Sequence, residues 1–433
     1  MTTVVRLLLA IALAVVIGGA ATHAQQTPAP KGTPAPKAAP APKAAPGKGA
    51  PAALRSGFNL PPGGEARFVP DEVMLDIPAS VSTPTLDAIA ARHTMTRLET
   101  QSFRLTGRTL HRWRLDGGGT VAAMIRGMNG ERLVLGAQPN YIYDLAQDQV
   151  APVNKDQYAP EKLGLLEAHR LATGNRVLVA VIDSGVDAAH PDLAGAITAN
   201  FDAASDAAAP DQHGTGMAGA IAAHRTMLGT APRVGLLTVS AFGSKTANTD
   251  GTTFSIIKGL DWASEQGARV VNMSFAGPPD PRLRDALAKA SRKGIVLIAA
   301  AGNAGAQSPP LYPAADPNVI AVTATDIDDA LFARANRGSH IAVAAPGVDV
   351  LVPGTGATYQ LTTGTSVAAA QVSGVAALLL ERNPSLTPSD IRRILTRTAK
   401  AIAPKGRERD FGAGLVNAYQ AVATTKAASA KAK

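Results

Sequence analysis

Apolar and polar positions alternate in two different ways along this chain. From residue 161 onward, short apolar runs are separated by segments whose apolar residues recur at helical spacing. The run at residues 176–182 is apolar and β-branched almost throughout, which is typical of a strand buried on both faces. Repeated strand–helix alternation of this length predicts an α/β fold, a doubly wound, mainly parallel sheet flanked by helices. Further strands are predicted at residues 233–239, 268–273, 295–300, 319–324 and 341–344, and helices at 214–223, 253–266, 280–293 and 388–398.

A smaller module with a different pattern is predicted upstream, between residues 66 and 144. Its strands and helices follow in the order β-α-β-β-α-β, which is typical of a ferredoxin-like α+β domain. It contains no cluster of catalytic side chains of its own. Residues 146–160, polar and with two prolines, predict an exposed connection that a protease could cut. The predicted strands are 71–77, 95–105, 109–115 and 134–143, and the predicted helices are 83–92 and 120–128.

A long uncharged run, residues 367–380, predicts a buried helix because it is rich in alanine and leucine and has no proline. A turn of small residues, 363–365, leads into it, and Ser366 lies where the helix begins. Backbone N–H groups are unpaired at a helix N-terminus, and the helix dipole favours negative charge there. A serine in this place is suited to nucleophilic attack, with its own N–H stabilising the oxyanion. The alternative interpretation of Ser366 is an ordinary N-cap.

The formal net charge of +9 comes from the two ends of the chain. Six basic residues precede Glu65 and three follow Ala423, with no acidic residue in either end, so the part between them is neutral. This distribution argues against a nucleic-acid-binding protein. The chain has no cysteine, which excludes disulfides, a thiol nucleophile and a thiolate metal site.

The N-terminal residues predict export from the cell. Residues 1–24 combine Arg6, an apolar run and a small-residue end, as in a secretory signal peptide cleaved after Ala24. The alternative is an uncleaved membrane anchor, for which the apolar run is short. Residues 25–62, rich in proline, alanine and lysine, predict a solvated linker, and residues 424–433 a disordered basic tail. The protein is thus expected to be secreted, or to lie in the periplasm or cell envelope of a bacterium, with no stable membrane span after processing.

Three further polar residues follow or flank the predicted strands and helices in a suggestive order. Asp183 comes directly after the buried strand at 176–182, where a carboxylate can orient an imidazole. His213 opens a glycine-rich helix and can act as a general base. Asn303 follows another strand in a glycine-flanked loop, where its amide can donate to an oxyanion. Individually, each could equally be a turn, capping or surface residue.

Together, in the chain order Asp–His–Asn–Ser, these segments resemble the subtilases, the subtilisin-like serine peptidases. The resemblance implies that Asp183 orients the histidine, His213 is the base, Ser366 the nucleophile and Asn303 the oxyanion donor. It also implies a subtilisin-like version of the predicted sheet, and polypeptide substrates bound along an edge strand by β-augmentation. That edge consists of Ser274, Phe275, Ala276 and Gly277, and other matching segments are residues 312–322, 345–347 and 411–418.

The upstream module resembles a subtilase propeptide, which acts in that family as a folding chaperone and inhibitor. Its tail occupies the active-site cleft until autocleavage. The resemblance therefore implies a propeptide at residues 66–147, a peptidase domain at 153–423, and the chain's own propeptide as an intramolecular inhibitor.

The chain also departs from the family pattern. Gly216, Val367 and the pair Ala370-Gln371 stand where the family has other residues, which leaves open a catalytically silent binding or adhesion protein on the same scaffold. Asp192 matches a family calcium ligand, but residues 222–229 lack the asparagine-containing calcium loop. No metal site or other cofactor is expected, and a calcium requirement is left open.

Overall fold

The computed structural model describes residues 53–146, 149–151, 157–204, 209–243 and 251–427. The predicted signal peptide, the linker up to residue 52 and tail residues 428–433 lie outside these ranges. In the described part of the chain, no helix is both long and apolar enough to span a membrane.

The N-terminal module has the predicted order of elements. Its four strands form an antiparallel sheet in the order β4-β1-β3-β2, as expected for a ferredoxin-like domain. The elements are β1 (Phe68–Asp76), α1 (Thr83–Arg92), β2 (Met95–Phe103), β3 (Arg108–Leu115), α2 (Val121–Met128) and β4 (Gly136–Leu145).

Residues 53–62 correct the predicted linker, because they pack against this module instead of being solvated. The ring of Phe58 is buried, and Asn59 N donates to the Ala137 carbonyl. The Arg55 guanidinium donates to the carbonyls of Glu131 and Val134. The predicted solvated linker therefore extends too far, because the Phe58 ring and the Arg55 guanidinium hold residues 53–62 against the module.

The larger part of the molecule is built on the predicted parallel sheet. Its seven strands follow the order β14-β13-β12-β10-β6-β8-β7, and every neighbouring pair is parallel. Buried apolar side chains cover both faces of this sheet. A short 3₁₀ helix, Pro191–Leu193, follows β6. The other elements are β5 (Gln149–Ala151), α3 (Ala159–Leu163), α4 (Leu165–Ala168), β6 (Leu178–Asp183), β7 (Ile197–Asp202), α5 (Gln212–Ala222), β8 (Gly235–Ser240), β9 (Gly251–Thr252), α6 (Thr253–Glu265), β10 (Val270–Met273), β11 (Phe275–Ala276), α7 (Pro281–Arg292), β12 (Val296–Ala300), β13 (Val319–Thr325), β14 (Ile341–Pro346), β15 (Val350–Pro353), β16 (Tyr359–Thr363), α8 (Thr365–Arg382), α9 (Pro388–Thr398), α10 (Glu408–Phe411) and α11 (Ala418–Thr424).

The predicted buried helix is α8, and its side chains are buried from Thr365 to Leu380. Its N-cap is Gly364, so Ser366 lies inside the first turn and is not the cap. The departure at Gln371 has a packing role, since its side-chain amide donates to the Pro346 carbonyl at 2.8 Å.

Two segments differ from the predictions, the connection at residues 146–160 and the start of the C-terminal tail. The connection at 146–160 contains the short strand β5, which pairs with β16. The predicted disordered tail begins too early, because α11 continues through Thr424 and the Thr425 hydroxyl donates to the Ala421 carbonyl. Strand β5 is too short for a periodic signal and depends on its partner β16. The bond of Thr425 is local and extends the end of α11.

Candidate active site

Asp183 is the last residue of β6, which lies between β10 and β8 inside the sheet. Its carboxylate is fully buried. Oδ1 accepts hydrogen bonds from His213 Nδ1 at 2.6 Å, Ser184 N at 2.8 Å and Ser184 Oγ at 3.2 Å. A carboxylate held in this way fixes the orientation of the imidazole ring and favours the tautomer with a proton on Nδ1.

His213 is held by the first turn of α5. The helix N-cap is Asp211, whose Oδ1 accepts from His213 N at 2.8 Å and from Ser184 Oγ at 2.8 Å. Gly214 allows this turn to approach the loop after β6, because a Cβ there would lie 2.6 Å from the Ser184 carbonyl oxygen. Among the described residues, the buried His213 Nε2 has no hydrogen-bond partner. This nitrogen is therefore free to take a proton.

Ser366 contacts a carbonyl that belongs to the N-terminal module. Its Oγ lies 2.5 Å from the Ala146 carbonyl oxygen and 3.1 Å from the Ser274 carbonyl oxygen. In return, Ser274 Oγ donates to the Ser366 carbonyl at 3.0 Å. The serine is 1% exposed, so in this structure the Ala146 segment covers it.

Asn303 is directed at the same carbonyl. Its Nδ2 donates to the Ala146 carbonyl oxygen at 2.7 Å. Its Oδ1 accepts from Thr365 N at 3.0 Å and from Thr365 Oγ1 at 2.8 Å, which fixes which end of the amide faces Ala146. The side-chain amide of Asn303 and the hydroxyl of Ser366 thus converge on one carbonyl oxygen.

The four predicted side chains therefore form two bonded sets. Asp183 and His213 are joined directly, while Ser366 and Asn303 meet at the Ala146 carbonyl. The Ser366 hydroxyl donates to that carbonyl, not to the imidazole. Helix α5 packs against α8, so both sets lie at the N-terminal ends of adjoining helices.

The residues before Ala146 lie between two short strands of the larger part. On one side, Leu145 and Asp144 pair antiparallel with β11, and Ala146 N donates to the Ser274 carbonyl at 3.1 Å. On the other side, β4 pairs with β9. The predicted edge is therefore occupied at Ser274, Phe275 and Ala276. In contrast, the Gly277 backbone pairs with Tyr312.

The side chain of Tyr143 occupies a buried site beside this edge. Its ring lies edge-on to Phe275, with centroids 5.9 Å apart, and its hydroxyl donates to Asp280 Oδ2 at 3.3 Å. Gly277 leaves room for the ring, because a Cβ there would lie 2.3 Å from it. Burial, with the nearby Asp280 carboxylate, raises the pKa of Tyr143 well above its ordinary value, so the hydroxyl keeps its proton.

A cavity of about 260 Å³ lies next to Ala146. Ala146 itself lines this cavity, together with Asp144 and Leu145 of β4. Its wall in the larger part is formed by Ala276, Asn303, Ala304, Leu311 and Arg334.

Asp192 does not fit the role of a calcium ligand. Its Oδ1 accepts the N–H groups of Arg225, Thr226 and Met227, and its Oδ2 accepts the Tyr359 hydroxyl at 2.8 Å. A calcium ion would need these oxygen lone pairs, which here face N–H and O–H donors. Burial opposes the charged form, but these bonds outweigh it and hold the pKa of Asp192 below its ordinary value. Within the described residues, no group of three or more potential metal-ligating side chains is found.

Several residues of the site carry no signal in the sequence. Ser184 and Asp211 lie beside predicted residues but resemble ordinary loop residues. Strand β9 has two residues, too few for a periodic pattern. Thr365 was part of the predicted turn, and its position next to Ser366 was the only available indication that it lies near the site.

Comparison with known proteins identifies the family of the larger part of the chain. Residues 174–414 match the sequence profile of the Subtilase family, Peptidase_S8. The chain is 36% identical over 274 residues to thermitase of Thermoactinomyces vulgaris, covering 61% of this chain and 95% of thermitase. It is 38% identical over 258 residues to subtilisin Savinase of Lederbergia lenta, covering 58% and 93%.

A solved structure is similar over most of the chain. It is that of fervidolysin from Fervidobacterium pennivorans, described as a keratinolytic enzyme related to subtilisin. The TM-score is 0.73 at 25% sequence identity, and the match covers 84% of this chain. It spans 63% of the fervidolysin chain.

Proposed function

Since the chain belongs to the subtilase family and is a subtilisin-like serine peptidase, we propose that it is a secreted endopeptidase made as a zymogen that processes itself. In this proposal Asp183, His213 and Ser366 are the catalytic triad and Asn303 is the oxyanion donor. The observation that carries it is the Ala146 carbonyl, which accepts from Asn303 Nδ2 at 2.7 Å and from Ser366 Oγ at 2.5 Å. A carbonyl between a nucleophile and an oxyanion donor is arranged for acyl transfer.

In the first step, Ser366 Oγ attacks the carbonyl carbon of Ala146. The hydroxyl proton passes to His213 Nε2, and the charged imidazole is stabilised by the Asp183 carboxylate. The negative charge on the former carbonyl oxygen is stabilised by Asn303 Nδ2 and by the N–H of Ser366 at the start of α8.

In the second step, His213 returns its proton to the nitrogen of Gln147, and the peptide bond breaks. Ala146 is left as an ester on Ser366. Water, deprotonated by His213, then hydrolyses the ester and frees the serine. The same steps apply to any polypeptide whose backbone lies along Ser274, Phe275 and Ala276.

This geometry moves the proposed end of the propeptide from residue 147 to Ala146. The Ala146–Gln147 bond is the processing site, because the Ala146 carbonyl oxygen accepts from both Ser366 and Asn303. The released module keeps its C-terminal strand β4, which pairs with β11 and β9 across the cleft. Occupancy of the cleft by β4 is the basis for proposing it as an inhibitor.

Buried polar contacts support the module's role as a tightly docked partner. Asp261, on α6, accepts from Leu105 N at 2.5 Å at the tip of the module's β2–β3 hairpin. Arg282, on α7, donates to the buried Asp76 carboxylate at 3.2 Å. The Asp76 carboxylate is also paired with Arg108 of the module, so a buried charge network joins the two parts of the molecule.

Secretion is proposed from the sequence of residues 1–24 together with the family. Thermitase and Savinase, to which the chain is similar, are bacterial subtilases, and a signal peptide fits that family. N-terminal sequencing of protein recovered from medium and periplasm tests this part. A mature protein that retains residues 1–24 would favour the membrane anchor.

The catalytic proposal is tested by expressing the full chain in a protease-deficient host. The unmodified chain is expected to yield a fragment that begins at Gln147, whereas Ser366→Ala should remain uncut because no acyl-enzyme can form. Ser291→Ala, a partly exposed serine on α7, is the matched control and should be processed normally.

A fluorophosphonate probe provides an independent measurement. Labelling of Ser366 in the processed protein is expected. Processing that persists in Ser366→Ala would exclude self-cleavage by this residue. A processed protein that takes no label would favour the silent binding scaffold.

A further inference from the structure

The hairpin of β15 and β16, residues 350–363, is connected to both the base and the nucleophile of the proposed triad. Strand β16 ends three residues before Ser366, so the nucleophile follows directly from this hairpin. The Gln360 side chain, on β16, is 4% exposed, and its Nε2 donates to the Gln212 carbonyl oxygen at 2.8 Å. Gln212 is the first residue of α5 and directly precedes His213.

The turn of the hairpin holds Gln212 a second time, through its side chain. Gln212 Oε1 accepts from Thr355 N at 3.1 Å, and Gln212 Nε2 donates to Thr355 Oγ1 at 2.9 Å. The orientation of this amide is fixed, because only its oxygen can accept from an N–H group. Together with the bond from Gln360, three hydrogen bonds join the residue before His213 to the hairpin.

Gly216, one of the departures from the family pattern, makes room for Gln360. It lies on α5, four residues after Gln212. A Cβ at Gly216 would lie 3.0 Å from Val352 Cγ2 and 3.3 Å from Gln360 Nε2. Val352 and Gln360 lie opposite each other on the two strands of the hairpin. The space beside Gly216 is therefore filled by the Gln360 amide, which reaches the first carbonyl of α5.

We propose that the hairpin sets the position of the His213 imidazole relative to the Ser366 hydroxyl, with Gln360 and Thr355 as positioning residues. The inference rests on the proposed function, in which these two side chains exchange a proton. The hairpin holds the beginning of α5 by hydrogen bonds and the beginning of α8 by the chain itself. A change in its contacts with α5 therefore moves the base relative to the nucleophile.

Alignment of the base needs this support because Asp183 holds only one side of the ring. Its carboxylate accepts from His213 Nδ1 at 2.6 Å, which fixes the tautomer and the plane of the imidazole. The proton of Ser366 Oγ passes to the other nitrogen, Nε2, so the rate also depends on how the first turns of α5 and α8 lie relative to each other. A misplacement of about 1 Å can slow a reaction about 100-fold.

Gln360→Met tests the proposal, with Gln371→Met as the matched control. Both glutamines are buried, and each donates a 2.8 Å hydrogen bond from Nε2 to a backbone carbonyl. Among the described residues, the Oε1 of each has no hydrogen-bond partner. Methionine keeps the length of the side chain and removes the donor. Processed enzyme is obtained from each full chain, and kcat and KM are measured on the end-blocked peptide of residues 141–152, YIYDLAQDQVAP.

Gln360→Met is expected to lower kcat about tenfold and to leave KM within twofold, because the base is displaced while the substrate-binding edge is unchanged. Gln371→Met should keep both constants, although it loses an equivalent buried hydrogen bond. Equal kcat for the two variants, with normal cleavage by the unmodified enzyme, would overturn the role of the hairpin alone. No cleavage by the unmodified enzyme would overturn the proposed function, and this inference with it.

Thr355→Val and Thr355→Ser give a second test that changes only a half-buried residue and decides the question if Gln360→Met does not fold. Valine removes the hydroxyl that accepts from Gln212 Nε2, whereas serine keeps it. The valine variant should lower kcat about two- to threefold at unchanged KM, a smaller loss because this contact is exposed. The serine variant should retain the original kcat. Equal kcat for the valine and serine variants would overturn the positioning role of Thr355.

Discussion

Replacing Asp183 by asparagine separates the two contributions that its carboxylate makes to the proposed triad. Oδ1 accepts from His213 Nδ1, Ser184 N and Ser184 Oγ, whereas the buried Oδ2 has no hydrogen-bond partner among the described residues. An asparagine must place its oxygen at the Oδ1 position, because an NH₂ group there would face the N–H of Ser184. The variant therefore keeps the orientation of the imidazole and loses the negative charge, and its NH₂ group takes the buried Oδ2 position, where no acceptor lies among the described residues.

The magnitude follows from the charge that is lost. Two unit charges about 4 Å apart interact by about 4 kcal/mol at an effective dielectric constant of about 20. If this energy stabilises the imidazolium only in the transition state, the step should slow about 10³-fold in Asp183→Asn. Asp183→Ala also loses the hydrogen bond that orients His213, which should slow the step about tenfold more.

The assay is the processing of the full chain itself. Each variant is purified in denaturant and refolded, and the fragment beginning at Gln147 is followed by intact mass. Asp187→Asn, in the loop after β6, is the matched control and is expected to process at the original rate. A rate for Asp183→Asn within threefold of the original would refute the role of the charge. Equal rates for the asparagine and alanine variants would refute the inferred orientation of the amide.

Three further substitutions and one chelation experiment have defined outcomes. Asn303→Ala should slow processing about 100- to 1000-fold, because the oxyanion loses a fixed donor, and the refolding assay measures it. Tyr143→Phe keeps the ring contacts but loses the hydroxyl bond to Asp280, so processing should slow about two- to tenfold. Asp192→Asn should lower the free energy of unfolding at neutral pH by about 1–3 kcal/mol, read from urea titration. Because the folded-state pKa of Asp192 is lowered, its stabilisation is present above the unfolded pKa of about 3.9 and is lost as the pH falls through the folded value. The oxygens of Asp192 already accept hydrogen bonds from three N–H groups and from the Tyr359 hydroxyl, so this carboxylate is not expected to bind calcium. EDTA should therefore leave the melting temperature of the protein unchanged.

The sequence was sufficient to predict six of the seven strands of the parallel sheet, because buried parallel strands have a composition of their own. The edge strand β7 was not predicted, because its residues are only partly buried and lack an apolar run. The sequence also predicted which polar residues follow the buried strands. Asp183 ends β6 at the edge where the carboxyl ends of parallel strands meet, so its approach to His213 was foreseeable. The family resemblance then added the roles of Ser366 and Asn303, which their local sequence alone left open.

The remaining features depend on pairing between distant segments. Strands β5 and β9 have three and two residues, and they are strands only because β16 and β4 lie beside them. Likewise, the Ser184 hydroxyl donates hydrogen bonds to the carboxylates of Asp183 and Asp211, yet the sequence around it does not distinguish it from an ordinary loop serine. The pattern of apolar and polar residues indicates burial and local geometry, but it does not indicate which distant segment of backbone a residue will pair with.

Register explains why the carbonyl in the site is that of Ala146. Successive side chains of β4 face opposite sides, so a shift by one residue would exchange every contact along the cleft. Tyr143 fixes the register, since its ring fills the space beside Phe275 that the missing Cβ of Gly277 leaves open. A one-residue shift would bring either Ile142 or the charged Asp144 to that space, next to the Asp280 carboxylate. Tyr143, the fourth residue before the proposed cleavage point, therefore selects that bond through its fit, without touching the reacting atoms.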